Sequence, residues 1–279
     1  MSHCEERFAS NLEDYPTFTT ERLRREFVIR NLFNADAINW TYSHYDRIMI
    51  SGIQPQNKSL QLECADQLKA DYFLQRREMG IFNVGGEGIV VADGNEIELS
   101  YKQAVYIGRG TQNVSFLSQN TDKPAKFYCL STPAHQSCPI QKITKNNADI
   151  LNLGSKAEAN ERCINKMLVS PVIETCQLQM GMTELVEGSV WNTMPPHTHS
   201  RRMEVYFYFE VKENQAVCHF MGPKNETRPL WLNNNEAAIS PPWSIHCGVG
   251  TQNYTFIWGM AGENLDYDDM DKFTAAHLK

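Results

Sequence analysis

Three histidines and one glutamate are spaced as metal ligands often are. His197 and His199 are separated by one residue, Glu204 lies further along the same segment, and His246 comes much later in the chain. Alternate residues of a strand face the same side, so the imidazoles of His197 and His199 can reach one point. Glu204 has the opposite parity, which predicts a turn or bulge before it. Three neutral imidazoles and a carboxylate suit Zn²⁺, Fe²⁺, Mn²⁺ or Ni²⁺ and leave room for water or substrate.

A structural role is the alternative for these histidines, because histidines also cap strands or pair with carboxylates. A lone His-x-His motif is weak in a chain with eight histidines, whereas the set of four is more specific. His246 follows Pro241-Pro242 and precedes Cys247-Gly248, which predicts a strand end with turns on either side. A barrel can bring such a position back to the first three residues. We therefore predict one metal site formed by these four side chains.

The elements around these residues have the pattern of β-structure. Asp93-Gly94 after an apolar run predicts a hairpin, and the segment 205–209 is β-branched and aromatic throughout. Short strands with turn signals about every ten residues predict a sandwich or barrel. Helical patterning is limited to segments near residues 21–33, 64–68 and 157–165. The expected fold class is all-β with a few short helices.

An internal repeat divides the chain. Residues 108–116 read GRGTQNVSF and residues 248–256 read GVGTQNYTF, and such self-similarity indicates duplication. We predict two related domains, at residues 1–150 and 151–279. The offset of the repeat sets Tyr106 against His246, so the first domain is expected to lack metal ligands.

Composition restricts the partners. The 279 residues carry a formal net charge of −7, which disfavours binding to nucleic acid or to anionic membranes. The first residues are charged where a signal peptide would be apolar, and no apolar run is long enough to span a bilayer. We therefore expect a cytoplasmic protein. The eight cysteines form no Cys-x-x-Cys pair, which predicts free thiols rather than a disulfide framework.

A family resemblance follows from these motifs. The pattern His-x-His, Glu and a distant His on tandem barrels resembles a two-domain cupin. The segments 191–195 (WNTMP) and 197–209 (HTHSRRMEVYFYF) narrow it, since they resemble the 5-keto-4-deoxyuronate isomerase family. The resemblance runs from about Leu23 to Asp271. It implies two tandem cupin barrels, the double-stranded β-helix or jelly-roll fold, and it carries the four metal ligands onto His197, His199, Glu204 and His246.

The resemblance also implies an activity. Members of the family act in pectin and uronide breakdown, where they convert 5-dehydro-4-deoxy-D-glucuronate to 3-deoxy-D-glycero-2,5-hexodiulosonate. It implies one divalent metal per subunit, with Zn²⁺ expected, a small uronate substrate and a homohexamer. Parity and proximity along the chain make Glu184 and Tyr206 the candidate catalytic residues. The same reasoning makes Arg202 and Arg47 the candidates for binding the substrate carboxylate.

Two other functions are compatible with the same ligands, because a ligand set does not fix the chemistry. One is a cupin dioxygenase or decarboxylase that uses Fe or Mn on a small organic acid. The other is a sugar-acid binding or regulatory cupin without catalysis, although binding alone does not require a metal with open coordination positions.

Overall fold

The chain is almost entirely β-structure in a computed structural model that describes residues 3–263 and 265–279. One α-helix is present among these residues, α1 at Thr20–Phe27, with 3-10 turns at Leu12–Thr17, Asp66–Leu68, Lys156–Glu158 and Ala275–His277. The strands are β1 His3–Arg7, β2 Val28–Ile29, β3 Ile38–Ser43, β4 Met49–Ile53, β5 Leu60–Gln61, β6 Arg77–Asn83, β7 Gly88–Ala92, β8 Asn95–Leu99, β9 Ala104–Ile107, β10 Val114–Ser118, β11 Phe127–Pro133, β12 Gln141–Ile143, β13 Asp149–Leu153, β14 Arg162–Leu168, β15 Gln179–Leu185, β16 Trp191–Asn192, β17 His197–Thr198, β18 Arg202–Phe209, β19 Val217–Met221, β20 Arg228–Leu232, β21 Glu236–Ser240, β22 Cys247–Gly250, β23 Thr255–Gly262 and β24 Asp271–Lys272. The predicted all-β class with a few short helices is confirmed.

The chain folds into two compact units. The first unit contains the residues up to Phe8, Asn31–Asp149 and Met167–Gln179, and the second contains Ala9–Arg30, Ile150–Lys166 and Met180–Lys279. A single boundary at residue 150 would put residues 9–30 in the first unit and residues 167–179 in the second. In the structure, residues 9–30 belong to the second unit and residues 167–179 to the first. The domain boundaries 1–150 and 151–279 stay a prediction.

The first unit consists of two sheets. A seven-stranded sheet has the order β1-β3-β4-β11-β6-β9-β12, and a four-stranded sheet has the order β5-β10-β7-β8. The predicted hairpin joins β7 to β8, where Asp93 and Gly94 both have positive φ, at 45° and 84°. Glycine tolerates this conformation because it lacks a Cβ. Buried side chains such as Trp40, Phe116 and Phe127 form the core.

The second unit repeats this arrangement. Its seven-stranded sheet has the order β13-β14-β15-β23-β18-β21-β2, and its four-stranded sheet has the order β16-β22-β19-β20. The central strand β18 is buried along all eight residues, as expected for an apolar segment between two neighbours, β21 and β23. A small additional sheet pairs β17 with β24. The duplication is therefore visible in the sheet order of the two units.

Helix α1 and the strand after it belong to the second unit. The hydroxyl of Thr19 caps the helix by accepting from the backbone N–H of Arg22, and Leu23 and Phe27 are its buried residues. The helix ends at Phe27, before the predicted end at residue 33. The β-branched residues Val28 and Ile29 form β2 and pair with β21 instead.

The other two predicted helices are present only as 3-10 turns. The segment 64–68 contains only the 3-10 turn Asp66–Leu68. The prediction at 157–165 is wrong beyond the turn Lys156–Glu158, because Arg162 already begins strand β14. Pairing within the seven-stranded sheet outweighs the weak local helix preference there. Among the described residues, none of the helices is long and apolar enough to cross a membrane.

The sequence repeat does not occupy equivalent positions in the two units. Residues 108–113 lie between β9 and β10, and the strand that follows, β10, belongs to a four-stranded sheet. Residues 248–250 lie inside β22, and the strand that follows, β23, belongs to a seven-stranded sheet. The repeated word is thus a glycine-rich turn signal used at two different turns. The predicted correspondence of Tyr106 with His246 is therefore wrong.

A buried glutamate in the first unit is surrounded by neutral donors. The fully buried carboxylate of Glu78 accepts from the backbone N–H groups of residues 176, 177 and 178 at 2.8, 2.8 and 2.9 Å. The hydroxyls of Tyr106 and Thr132 also donate to it, at 2.7 and 3.1 Å. These five donors satisfy the buried carboxylate, as a buried polar group requires.

We expect Glu78→Ala to destabilise the protein because it leaves these donors unpaired in the interior. Breaking a buried charged network typically costs about 3–5 kcal/mol. Urea unfolding would measure the loss. The control is Glu98→Ala, at an exposed position on β8, which we expect to change the free energy of unfolding by less than about 0.5 kcal/mol. Equal effects of the two substitutions would contradict this role of Glu78.

Candidate metal centre

Four buried side chains meet at one point in the second unit. His197, His199, Glu204 and His246 each offer one ligand atom, and these atoms all lie within 4.8 Å of one another. Nε2 of His246 lies 3.0 Å from Nε2 of His197 and 2.8 Å from Oε2 of Glu204. Nε2 of His199 lies 3.5 Å from the same carboxylate oxygen. The four residues selected from the sequence are thus brought together by the fold.

The local structure explains how they converge. His197 begins β17, and the chain then turns at residues 200–201 before β18, which carries Glu204 as its third residue. This is the predicted turn that corrects the parity of Glu204. His246 directly precedes β22, as predicted, after a turn over Pro241–Ser244. Strand β24, close to the end of the chain, pairs with β17 and holds it in place.

Each histidine is oriented by a partner on its other ring nitrogen. Nδ1 of His197 lies 3.0 Å from the carbonyl oxygen of Pro195, and Nδ1 of His199 contacts the carbonyl oxygen of Asp269. Nδ1 of His246 lies 3.3 Å from the hydroxyl of Ser240. A backbone carbonyl only accepts, so Nδ1 of His197 and of His199 carries the proton and Nε2 keeps its lone pair. Metal-binding histidines are commonly held in this way.

Burial and the neighbouring groups set the charges. Burial, together with the nearby His246, lowers the pKa of His197 to about 3, so this imidazole is neutral. Burial alone would raise the pKa of Glu204, but His246 and His199 outweigh it and hold that pKa well below its ordinary range. His197 therefore presents a neutral imidazole nitrogen and Glu204 an ionised carboxylate, which are the forms that bind a metal.

The geometry fits a divalent transition metal. Three of the separations between ligand atoms, 2.8, 3.0 and 3.5 Å, would allow bonds of about 2.1 Å to one shared ion. Nε2 of His199 and Oε2 of Glu204 are buried and have no hydrogen-bond partner. Buried polar atoms without a partner are costly, and a shared cation would satisfy both. This group can hold a metal ion.

His197, His199 and Glu204 lie on the wall of a cavity of about 190 Å³, and His246 contacts two of them. Its size suits a small molecule, since pockets for drug-sized ligands are larger, at about 300–1,000 Å³. The strands β14, β15 and β23 supply part of the wall, and the segment around β24 supplies another part. The residues that complete the wall are Leu151, Leu153, Arg162, Ile164, Thr183, Asn192, Thr193, Met194, Pro195, Tyr206, Phe256, Trp258, Met260, Tyr267, Asp268, Met270 and Lys272.

Tyr206, one of the two predicted catalytic residues, faces this cavity. Its hydroxyl lies 2.5 Å from the hydroxyl of Thr193, and its ring centroid lies 5.3 Å from that of His246. Burial raises the pKa of Tyr206 well above its ordinary value, and the charge of Glu204 raises it further. The phenol therefore stays protonated and is a hydrogen-bond donor rather than a base.

Glu184, the other predicted catalytic residue, is not among the residues around the cavity. Its neighbour Thr183 lines the cavity, so Glu184 points to the opposite face of β15. Its carboxylate accepts from the side-chain amide of Asn165 at 3.0 Å. The alternation of side chains along the strand thus explains why proximity in sequence did not place Glu184 in the cavity.

Neither arginine predicted to bind substrate lines the cavity. Arg202 is fully buried behind the ligands, where Nη2 lies 3.2 Å from Nδ1 of His199 and Nε lies 3.9 Å from a carboxylate oxygen of Asp269. Arg47 lies in the first unit, in the β3–β4 turn with φ of 52°. Its carbonyl oxygen accepts from Arg77 at 2.7 Å. Arg202 is therefore placed beside Asp269, whose carbonyl oxygen accepts from His199.

Several cavity residues were not predicted. Asn192 and Thr193 lie in the segment that carries the family resemblance, and this resemblance was the one feature of the sequence that could have identified them as cavity residues. No feature of the sequence indicated Arg162, because its segment was interpreted as helical and it lies far before the ligands in the chain. Cys247 follows a ligand but is not part of the group, and burial raises its pKa to about 12, so it is a neutral thiol. All eight cysteines are free, as predicted.

We expect His197→Ala and His246→Ala to lose most of the bound metal. Removing a ligand should weaken metal affinity by more than the about 10–100-fold that is typical for its outer partners. Metal content after dialysis, measured by mass spectrometry, tests this. His135→Ala, at an exposed position in the first unit, is the matched control and should keep its metal. Equal metal contents in the three variants would overturn the assignment.

We expect Glu184→Gln to retain turnover, because the carboxylate lies outside the cavity and accepts a hydrogen bond from Asn165 that glutamine can also accept. Loss of a general base would instead lower kcat by about 10²–10⁴-fold. Steady-state kinetics of the metal-loaded protein distinguish the two results. A fall of that size would return Glu184 to the reaction and contradict the placement described above.

Comparison with known proteins identifies the relatives of this chain. A curated protein of Formosa agariphila is 54% identical over 275 residues, covering 99% of this chain and 98% of its own. One from Bacteroides thetaiotaomicron is 53% identical, covering 100% and 99%, and one from Dickeya dadantii is 49% identical, covering 93% and 94%. All three are named 4-deoxy-L-threo-5-hexosulose-uronate ketol-isomerase, the second with the number 1.

Solved structures agree with the fold. An IolB-like protein of Salmonella typhimurium superposes with a TM-score of 0.66 at 13% identity, covering 82% of this chain and 89% of its own. The oxalate decarboxylase of Lactobacillus farciminis superposes with a TM-score of 0.54 at 11% identity, covering 79% and 78%. With the paired sheets of each unit, these likenesses confirm the predicted cupin fold. A sequence profile of the KduI/IolB family matches residues 29–277, and the chain belongs to this family.

Proposed function

We propose that the protein is a metal-dependent ketol-isomerase that converts 5-dehydro-4-deoxy-D-glucuronate to 3-deoxy-D-glycero-2,5-hexodiulosonate in the breakdown of pectin and related uronides. The observation that carries the proposal is the group of three imidazoles and Glu204, of which His197, His199 and Glu204 line a small cavity. The names of relatives that are about half identical over nearly the whole chain support the same reaction. The decarboxylase alternative is supported only by a similarity of fold to a solved decarboxylase structure.

In this reaction an aldehyde with a neighbouring hydroxyl becomes a ketone with a neighbouring hydroxyl. One proton leaves the carbon that bears the hydroxyl and one arrives at the aldehyde carbon, while the oxygens exchange a proton, so that substrate and product are isomers. The protein must therefore hold both oxygens and move protons between adjacent carbons.

His197, His199, Glu204 and His246 would hold the divalent metal, for which we propose Zn²⁺. When bound, the metal supplies Lewis-acid polarisation of the substrate carbonyl. The neutral imidazoles and the single carboxylate leave the centre with a net positive charge. Arg202 would position His199 through Asp269, whose carboxylate lies 3.9 Å from Nε of Arg202 and whose carbonyl oxygen accepts from Nδ1 of His199.

Tyr206 would act as the proton donor to a substrate oxygen. Its hydroxyl lies on the cavity wall and is already oriented by Thr193 at 2.5 Å. Because its pKa lies far above the ordinary value, the phenol holds its proton until a substrate oxygen gains negative charge. Tyr206 is thus suited to stabilise the oxygen rather than to remove the carbon-bound proton.

We also propose a cytoplasmic homohexamer, as the family resemblance implies. Support for assembly comes from β13, an outer strand of its sheet that exposes Ile150, Leu151 and Leu153 by 44%, 38% and 39%. Neighbouring exposed apolar side chains on an edge strand commonly mark a contact with another chain.

The reaction is tested by incubating the metal-loaded protein with the ring-opened product of unsaturated galacturonate and following the diketo acid by NMR. We expect conversion that stops when the metal is chelated and resumes when it is restored. If a fully loaded protein produced no diketo acid, the isomerase assignment would be wrong. Oxygen consumption during turnover would favour the oxygenase instead.

We expect Tyr206→Phe to lower kcat by about 10²–10⁴-fold, the usual contribution of a positioned acid, with metal content near that of the unchanged protein. Tyr208→Phe is the matched control, because Tyr208 has the same strand parity but shares a hydrogen bond of 2.8 Å with His219 and does not line the cavity. Similar kcat values for the two variants would remove Tyr206 from the mechanism.

A further inference from the structure

Arg162 is a buried cation in the cavity wall, and the charge of Glu158 acts on it only from beyond ion-pair distance. Only 7% of the residue is exposed, and it lines the same cavity as the candidate metal ligands His197, His199 and Glu204. Within the described part of the chain, it forms no ion pair with a carboxylate. This is unusual, because a guanidinium does not deprotonate in proteins and a buried charge is costly unless it is paired.

The hydrogen bonds of Arg162 leave capacity unused. Nη1 donates to the carbonyl oxygen of Asn160 and Nη2 donates to that of Met194, both at 3.1 Å. Nε is buried and has no partner. The two carbonyls fix the plane of the guanidinium without neutralising its charge. Such a preorganised and uncompensated fork is suited to bind a carboxylate.

Asn192 provides a second donor on the same cavity wall. It is 3% exposed, and its Nδ2 is buried without a partner, while its Oδ1 accepts from the hydroxyl of Thr193 at 3.1 Å. A buried amide N–H group without an acceptor costs about 1–3 kcal/mol. Two unsatisfied donors in one small cavity indicate that a ligand with acceptor oxygens completes the site.

We infer that Arg162, assisted by Asn192, binds the carboxylate of an acidic sugar whose carbonyl end is held at the His197, His199, Glu204 and His246 group. The identity of this acid as the uronate rests on the proposed function. Arg162 then determines specificity, since a neutral sugar would leave the buried guanidinium without a counter-ion. Arg162 and Asn192 bind the end of the substrate that does not react.

The other cations near the cavity fit this role less well. Arg202 is engaged with His199 and Asp269 and does not line the cavity. Lys272 lines it but is exposed on β24, where water solvates the ammonium group. An exposed charge gains little from pairing, whereas a desolvated one gains much more.

The test compares an acid with a neutral analogue in the metal-loaded enzyme. We expect Arg162→Met to raise KM for the uronate by about 30-fold or more, with a much smaller change for the methyl ester of the same substrate and with metal content unchanged. Arg162→Lys should recover part of the preference for the acid. Arg25→Met is the matched control, since this arginine is 67% exposed on α1, and it should leave both KM values as they are.

A binding measurement separates this inference from the proposed reaction. Calorimetry with D-glucuronate and D-glucose on the metal-loaded protein should show binding of the acid that Arg162→Met abolishes. If the enzyme isomerises the uronate but Arg162→Met keeps the acid-to-ester ratio of KM, the inference is overturned and the function stands. If no isomerisation occurs but Arg162-dependent binding of D-glucuronate does, the inference stands and the function fails.

A second variant applies if Arg162→Met does not fold. Asn192→Asp places a negative charge beside the bound carboxylate and should raise KM for the acid by at least about tenfold relative to the ester. An unchanged ratio in Asn192→Asp would also overturn the inference.

Discussion

The second unit depends on the cost of burying the carboxylate of Glu204. A carboxylate with 4% exposure must be compensated by nearby groups. Here imidazole nitrogens lie 2.8 and 3.5 Å from Oε2 of Glu204, and Oε2 itself and Nε2 of His199 still lack a hydrogen-bond partner. The turn after β17, the position of His246 before β22 and the pairing of β17 with β24 all serve to bring these groups together. By our proposal, a divalent cation completes this arrangement.

The first unit compensates a buried carboxylate by a different means. Glu78 accepts three backbone N–H groups and two hydroxyls, so its hydrogen-bond donors are all neutral. No group of three or more potential metal ligands was found in that unit, as far as residues 3–263 and 265–279 show. The same two-sheet architecture therefore supports a structural network in one unit and, by our proposal, a metal centre in the other.

The features that depend on local sequence pattern could mostly be predicted from the sequence. The all-β class, the hairpin at Asp93-Gly94, the turn before Glu204 and the four converging side chains follow from strand alternation and turn chemistry. The features that depend on pairing between distant segments could not be predicted from the sequence. Strand β2 joins a sheet made mostly from the far end of the chain, and the repeated turn word does not mark equivalent strands. Arg162 and the segment around β24 reach the cavity only through such pairing, so no spacing rule could have placed them there.

The candidate metal centre, a protonated phenol and a buried guanidinium meet at one small cavity, and the proposed function depends first on the metal site. X-ray absorption spectroscopy of the metal-loaded protein tests this claim most directly. We expect a first shell of nitrogen and oxygen at about 2.0–2.2 Å, with the outer-shell scattering of three imidazoles that disappears in part in His246→Ala. A sulfur atom in the first shell, or a shell with fewer than three imidazoles, would contradict the account.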